Sequence, residues 1–312
     1  MVNESKENLD FRIKYKDTSG MIRYSESFTV QANKNSEFEG HVHYKEFEIY
    51  HFVKGDISFS VEGRRIAVKE GDMIIVAVGL IHRPIINREC TYHRRHILFH
   101  KDIFKRLNNA DFDFYRMMMK RKFWYLDRDT VSSEGFDRMY DQLEDLIKQQ
   151  TSYASFCGMV QLFAFLIKAQ ECSKEILNSD TYKYDERISD ILKYIEEHLT
   201  EKLSYEILAD AFYISPKHLY KFFKKETGFM LSDYINERRI IKAQSLLNAN
   251  IAAGDVASAV GFQDYSVFYR NFFKRVGCPP SKFCDFVDFT DSKKPVTCDL
   301  ATKCPDSDNR QR

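Results

Sequence analysis

Residues 259–283 read "AVGFQDYSVFYRNFFKRVGCPPSKF", and their meaning depends on a second stretch 49 residues upstream. "SPKHLYKFFKKETGFMLSDYI" (215–235) aligns with "DYSVFYRNFFKRVGCPPSKFC" (264–284). Ser215 falls on Asp264, Leu219 on Phe268, Lys221 on Arg270, Phe223 on Phe272, Gly228 on Gly277 and Ser232 on Ser281. Just before them Ala209 and Ala211 match Ala257 and Ala259 at an offset of 48, so the second turn is one residue longer. Each copy predicts helix, tight turn, helix. Ser215 and Asp264 are N-cap residues, Pro216 suits a first helical position, Gly261 makes the second turn, and Gly228 and Gly277 sit where helices stop. The small alanines allow close packing of the first helix.

The second helix of each copy is sided. Leu219, Phe222 and Phe223 face inward in the first copy, and Phe268 and Phe272 in the second. Lys217, Tyr220, Lys221 and Lys224 share the opposite side of the first at helical spacing, and Tyr265, Ser266, Tyr269 and Arg270 face out from the second, with Lys274 following. One basic helix face is more often a solvated surface than a site. Two copies at a fixed offset, each with caps and stops in place, fit a pair of helix-turn-helix units. In such a unit the second helix enters the major groove, where Arg and Lys meet guanine acceptors and hydroxyls reach bases or phosphates.

The ordered pattern of residues 203–247 and 259–283 resembles the DNA-binding domain of the AraC family of bacterial transcription regulators. The likeness covers about a hundred residues. It implies two helix-turn-helix units joined by a long helix over 231–248, with the recognition helices in successive major-groove turns. By position the DNA-contact candidates are Ser215, Lys217, His218, Tyr220, Lys221 and Lys224 in the first unit, and Tyr265, Ser266, Tyr269, Arg270 and Lys274 in the second. The first recognition helix departs from many relatives in placing Tyr220 amid lysines.

Residues 20–100 behave differently. Short β-branched runs alternate, separated by "VKGDIS", "VEGRR" and "VKEGDMI", which predicts a β-barrel or sandwich. Inside it, "HVHYKEFEIYHFVKG" (41–55) carries His41, His43, Glu48 and Gly55, and "GDMIIVAVGLIHRPI" (71–85) carries Gly71, Gly79 and His82. This two-part spacing resembles the cupin barrel, with departures at Asn35, Ala77 and Ile86. In a strand His41 and His43 point to one face, Glu48 and Tyr50 share the interior face of the next, and His82 comes from across the barrel. Three imidazoles and a carboxylate suit a divalent transition metal such as Fe, Mn, Ni or Zn. His41, His43, Glu48, Tyr50 and His82 equally suit hydrogen bonding to a small effector. Cupin sensors on AraC-type domains commonly bind a sugar or related metabolite, often without metal, so the resemblance implies a sensor. A metal-dependent cupin enzyme fused to a DNA-binding domain is the alternative. Glu62, Arg64 and Arg65 fall in a hairpin turn and read as solvated.

Between the two halves the period changes. "GFDRMYDQLEDLIKQQ" makes one helical stripe, and "SFCGMVQLFAFLIKAQ" (155–170) is apolar almost all round, as a buried helix is. The pair is either a core element on the barrel or a dimer interface. The chain of 312 residues is thus expected to be an α+β multidomain protein. A cupin-like barrel covers 1–130, a helical hairpin for dimerisation 131–172 and a linker 173–186. A double helix-turn-helix domain covers 187–286 and a disordered tail 287–312.

The composition fits. Net charge is +1, so nucleic-acid binding must come from local clusters rather than bulk charge. The start "MVNESKENLDFRIKYKD" has no apolar core of a leader, and the apolar run 73–81 is too short to span a bilayer. Seven scattered cysteines, at 90, 157, 172, 278, 284, 298 and 304, read as free thiols in a reducing compartment. The expectation is a cytoplasmic, non-enzymatic transcription regulator. Its partners would be double-stranded operator DNA, a small-molecule effector, a second copy of itself and RNA polymerase, with no membrane.

Overall fold

The computed structural model describes residues 10–33, 38, 40–106, 113–121, 123–173 and 186–283. Residues 174–185 of the expected linker, the end of the chain from 284, which includes the expected tail 287–312, Asn35 and the three last cysteines lie outside them.

Among the described residues nine strands build the N-terminal domain: β1 Asp10–Lys16, β2 Ile22–Ala32, β3 Glu46–Lys54, β4 Ile57–Val61, β5 Arg64–Ala67, β6 Met73–Val76, β7 His82–Ile86, β8 Cys90–His100 and β9 Phe123–Leu126. They form a six-stranded sheet, β1-β2-β8-β3-β6-β9, facing a three-stranded sheet, β5-β4-β7. The expected barrel is therefore two facing sheets rather than a closed cylinder. An isolated bridge, His41↔His82, joins the segment before β3 to the smaller sheet.

Strand β3 is buried along both faces. Phe47 and Ile49 point outward into one apolar cluster, while Tyr50 and Phe52 point inward into another. The outward cluster exists because helices cover that face of the large sheet. These are α1 Phe114–Arg121, α2 Arg128–Ser133, α3 Phe136–Lys148 and α4 Ser152–Cys172. The core reading of the helical pair is correct for their inner sides, where Phe136, Tyr140, Leu143, Leu162 and Phe165 are buried. Burial of α4 all round is not observed. Tyr153, Phe156, Val160 and Ile167 stand exposed on its far side, Tyr153 at 79%. By length and composition α4, not 73–81, is the apolar segment that could cross a membrane. Its other side is committed to the sheet.

The C-terminal domain is all helical: α5 Glu186–Glu197, α6 Tyr205–Ala211, α7 Pro216–Thr227, α8 Leu231–Asn248, α9 Ala253–Ala259 and α10 Tyr265–Val276. The expected caps are in place. Ser215 accepts from the His218 amide and Asp264 from the Val267 amide. Gly228 ends α7 with φ +81°, a left-handed turn that a side chain would strain. Helix α8 spans the predicted 231–248 and joins two small cores. The first holds Leu208, Ala209, Leu219, Phe223 and Tyr234, and the second holds Ile240, Ala257, Phe268 and Phe272. Only one alanine of each expected pair packs inward: Ala209 and Ala257 are buried, Ala211 and Ala259 exposed. Phe222 is half-buried beneath the Arg187 guanidinium, 5.4 Å from its ring centroid.

Candidate functional site: the pocket and the recognition helices

The cupin-type residues converge. His41, His43, Glu48 and His82 offer ligand atoms that all lie within 4.8 Å of one another. Glu48 comes from β3 and His82 from β7, across the space between the sheets. His41 and His43 come from an extended segment rather than the expected strand, held by His41–His82 backbone bonds of 3.1 Å and by the Gly79 amide on the His43 carbonyl. Glu48 Oε2 is 2.8 Å from His82 Nε2, 3.3 Å from His43 Nε2 and 3.9 Å from His41 Nε2. Ligand bonds of about 2.1 Å would set neighbouring donors roughly 3.0–3.4 Å apart in octahedral or tetrahedral geometry. The observed separations bracket that range.

The protonation pattern supports the same fit. His82 Nδ1 is 2.9 Å from the Leu80 carbonyl, which can only accept, so Nδ1 carries the proton. Its Nε2 then faces a carboxylate, a second acceptor. Either the ring is a cation, or the carboxyl carries the proton between them, or a metal ion takes that proton's place. Burial opposes the first, holding His82 below its ordinary value despite the pull of Glu48. Burial also pushes Glu48 upward, but hydrogen bonds from the three histidines outweigh it and keep the carboxyl well below the usual range. For His43, burial is outweighed by Glu48 and the ring is raised.

These residues line one end of a cavity of about 700 Å³ between the sheets. Tyr50 lines it as expected, its hydroxyl 2.6 Å from that of Tyr92. Sequence reasoning missed Arg94 and His96, which also line it. The signal was the alternation in "TYHRRHILF", which puts Tyr92, Arg94, His96 and Leu98 on one face of β8. Glu62 is not solvated: it accepts from the Ile81 amide at 2.7 Å and pairs with Arg238 of α8 at 2.6 Å. Arg65 is half-buried and donates to Asn87 Oδ1.

All eleven DNA-contact candidates are exposed: Ser215, Lys217, His218, Tyr220, Lys221 and Lys224 about α7, and Tyr265, Ser266, Tyr269, Arg270 and Lys274 on α10. Among the described residues no carboxylate pairs with Lys217, Lys221 or Arg270. On α10 Tyr269 stacks with exposed Phe273 at 6.1 Å.

The two domains meet on the pocket's histidine segment. His41 and His43 line the cavity, while Val42 packs against both helical cores and Tyr44 is buried in the second. The Tyr44 hydroxyl donates to Glu237 of α8, which holds Arg275 of α10 at 2.7 Å. Arg83 of β7 donates to the Lys225 carbonyl near the end of α7.

Comparison with known proteins divides the chain the same way. A cupin domain model matches residues 28–91, and a helix-turn-helix domain model matches residues 208–285. The protein therefore carries a cupin domain followed by a helix-turn-helix domain. The helix-turn-helix match takes in both units of the repeat that resembles the AraC-type DNA-binding domain. The chain is 39% identical over 94 residues to the bifunctional transcriptional activator/DNA repair enzyme AdaA of Bacillus subtilis, covering 30% of this chain and 44% of that protein. It is 33% identical over 93 residues to the HTH-type transcriptional activator RhaS of an Enterobacter species, covering 28% of this chain and 34% of that one. The alignments thus span less than half the length of these relatives. Among solved structures, ToxT from Vibrio cholerae aligns over 84% of this chain and 97% of its own, with 11% identity and a TM-score of 0.36.

Proposed function

We propose that the protein is a sequence-specific, DNA-binding transcription regulator of the cytoplasm, controlled by a small molecule in the cupin pocket. In this reading His41, His43, Glu48 and His82 hold a divalent transition metal at the pocket's inner end. The exposed faces of α7 and α10 enter successive major-groove turns of an operator. The reading assigns no catalysis. A homodimer, formed through the outward stripe of α4, and RNA polymerase are the protein partners. A mass of two chains in native mass spectrometry tests the first of these.

The observation that carries the reading is the alternation at residues 41–44. Odd positions reach the pocket; even positions reach the two cores joined by α8. A ligand that moves the imidazoles must move Val42 and Tyr44 with them. The two recognition helices hang on those cores, so their relative setting follows the pocket. Allosteric coupling of this kind is typically about 5–150-fold in affinity.

Fluorescence anisotropy on operator DNA selected from a random pool tests both halves. Arg270→Ala is expected to weaken specific binding by ~1–3 kcal/mol and relax one base position. Equal loss on random DNA would contradict a base contact. Val42→Ala is expected to keep basal operator affinity within about twofold and lose most of the effector response. An undiminished response would remove the 41–44 segment from the coupling.

A further inference from the structure

The cavity's chemistry is not that of a neutral-sugar site. Five of its lining side chains are cations, Arg12, Lys14, Lys16, Arg23 and Arg94, against one carboxylate, Glu48, which the three histidines already occupy. Arg12, Lys14 and Lys16 lie exposed on edge strand β1, where basic residues also serve to discourage strand addition. Arg23 is paired with Glu46. Those four on their own decide nothing.

Arg94 decides the matter. Its guanidinium lies 5.2 Å from the ring centroids of both Phe38 and Tyr92, and it donates to the Tyr92 hydroxyl at 3.1 Å. Its Nε is buried without a hydrogen-bond partner, and among the described residues no carboxylate lies within ion-pair distance of it, Glu48 acting on it only at longer range. Two neighbours share that condition. Ser25 Oγ and His96 Nδ1 are buried and unpartnered, Glu48 Oε1 being 4.0 Å from the latter. Strand register brings the three together. Ser25 faces His96 across β2 and β8, and Arg94 follows two residues along on the same face. Buried polar groups are nearly always satisfied, and a desolvated guanidinium without an anion is costly. A carboxylate or phosphate is the kind of acceptor this unpartnered set lacks.

We propose that the pocket's ligand is a small organic anion whose carboxylate or phosphate group sits on Arg94, Ser25 and His96. The rest of the molecule extends toward the histidine cluster, along Tyr50, Phe59 and Leu98. This rests on the regulator reading only in calling the ligand an effector; the anion site stands on the pocket alone.

Isothermal titration of the full chain tests it. The probes are succinate, tartrate and glucose 6-phosphate, set against glucose and arabinose. At least one anion is expected to bind saturably and lose affinity as salt rises, with neutral sugars silent. Glucose against its 6-phosphate isolates the charge, and succinate against the phosphate separates the two sources of anion. Arg94→Gln is expected to weaken binding at least tenfold. Lys14→Gln, exposed and away from the core, is expected to weaken it severalfold through charge alone. Binding of glucose or arabinose with no anion bound overturns the proposal. So does the absence of any anion binding at millimolar concentration, or full affinity in R94Q. Operator affinity measured alongside keeps the two readings apart. An anion that binds without changing DNA affinity sinks the effector reading and leaves the site. A neutral sugar that changes it does the reverse.

Discussion

Glu48→Gln and His82→Ala are each expected to weaken binding of Zn²⁺ or Ni²⁺ by more than 100-fold in chelator-competition titrations. Removing a supporting group behind a metal ligand costs roughly 10–100-fold, and a ligand itself costs more. Glu48 supplies the only formal negative charge in the cluster and His82 its most buried imidazole, at 2% exposure. Glu48→Gln keeps the shape of the side chain, so it isolates the charge. His82→Ala also leaves a cavity beside Phe59, whose ring lies 6.0 Å away, and is expected to lower stability as well. Unchanged affinity in Glu48→Gln, with a folded protein by circular dichroism, would mean the four residues are hydrogen-bonding pocket walls and no metal centre.

The helical half was legible because its determinants are local. A cap, a stop and a 3.6-residue stripe are written within one turn of each other. Ser215, Gly228, Asp264 and Gly277 therefore marked α7 and α10, and α8 fell where expected. The ligand set of the cupin half was legible for another reason: His41, His43, Glu48 and His82 form a spaced pattern of chemically distinctive residues. What the sequence hid is contact between distant segments. Glu62 looked like a turn residue because its partner, Arg238, lies 176 positions away. Val42 and Tyr44 carried no signal in the sequence, since their packing partners belong to another domain. Arg94 was overlooked because a basic strand residue is usually solvated, and only the fold shows its Nε enclosed. Which of barrel and sandwich the strands make is likewise a property of pairing, which alternation alone does not fix.

The second large effect is on stability in mild acid, and its source is His51. This side chain lies on the outward face of β3, 8% exposed, 5.3 Å from the Tyr140 ring. Arg95 donates to its Nδ1 at 2.9 Å and also holds Asp141 and Glu144 of α3 at 2.8 and 3.2 Å. A proton on Nδ1 would meet the guanidinium head-on. Burial and Arg95 accordingly hold His51 down to about 3, and burial holds His96 down to about 4. In the unfolded chain both would titrate near 6.5. The unfolded state therefore takes up protons first as pH falls, and folding stability is full above pH 6.5 and declines from there toward pH 4 and below. Each group withdraws about 1.4 kcal/mol by pH 5.5, so the pair withdraws about 3 kcal/mol relative to pH 7.5. His82 and His100, also held down by burial, add to the loss, while His43, raised by Glu48, acts in the opposite direction, and Glu48 contributes only from the ordinary carboxylate range downward. A loss of that size is a large share of a domain's usual margin of 5–15 kcal/mol. Urea unfolding in the presence of a chelator, followed by the fluorescence of Trp124, is expected to show the midpoint falling from pH 7.5 to 5.5. The double variant His51→Gln/His96→Gln should flatten that slope. A pH-independent midpoint in the unmodified chain, or an equal slope in the variant, would locate the acid sensitivity elsewhere. Without the chelator the slope should steepen if the cluster holds metal, because protonated imidazoles release it.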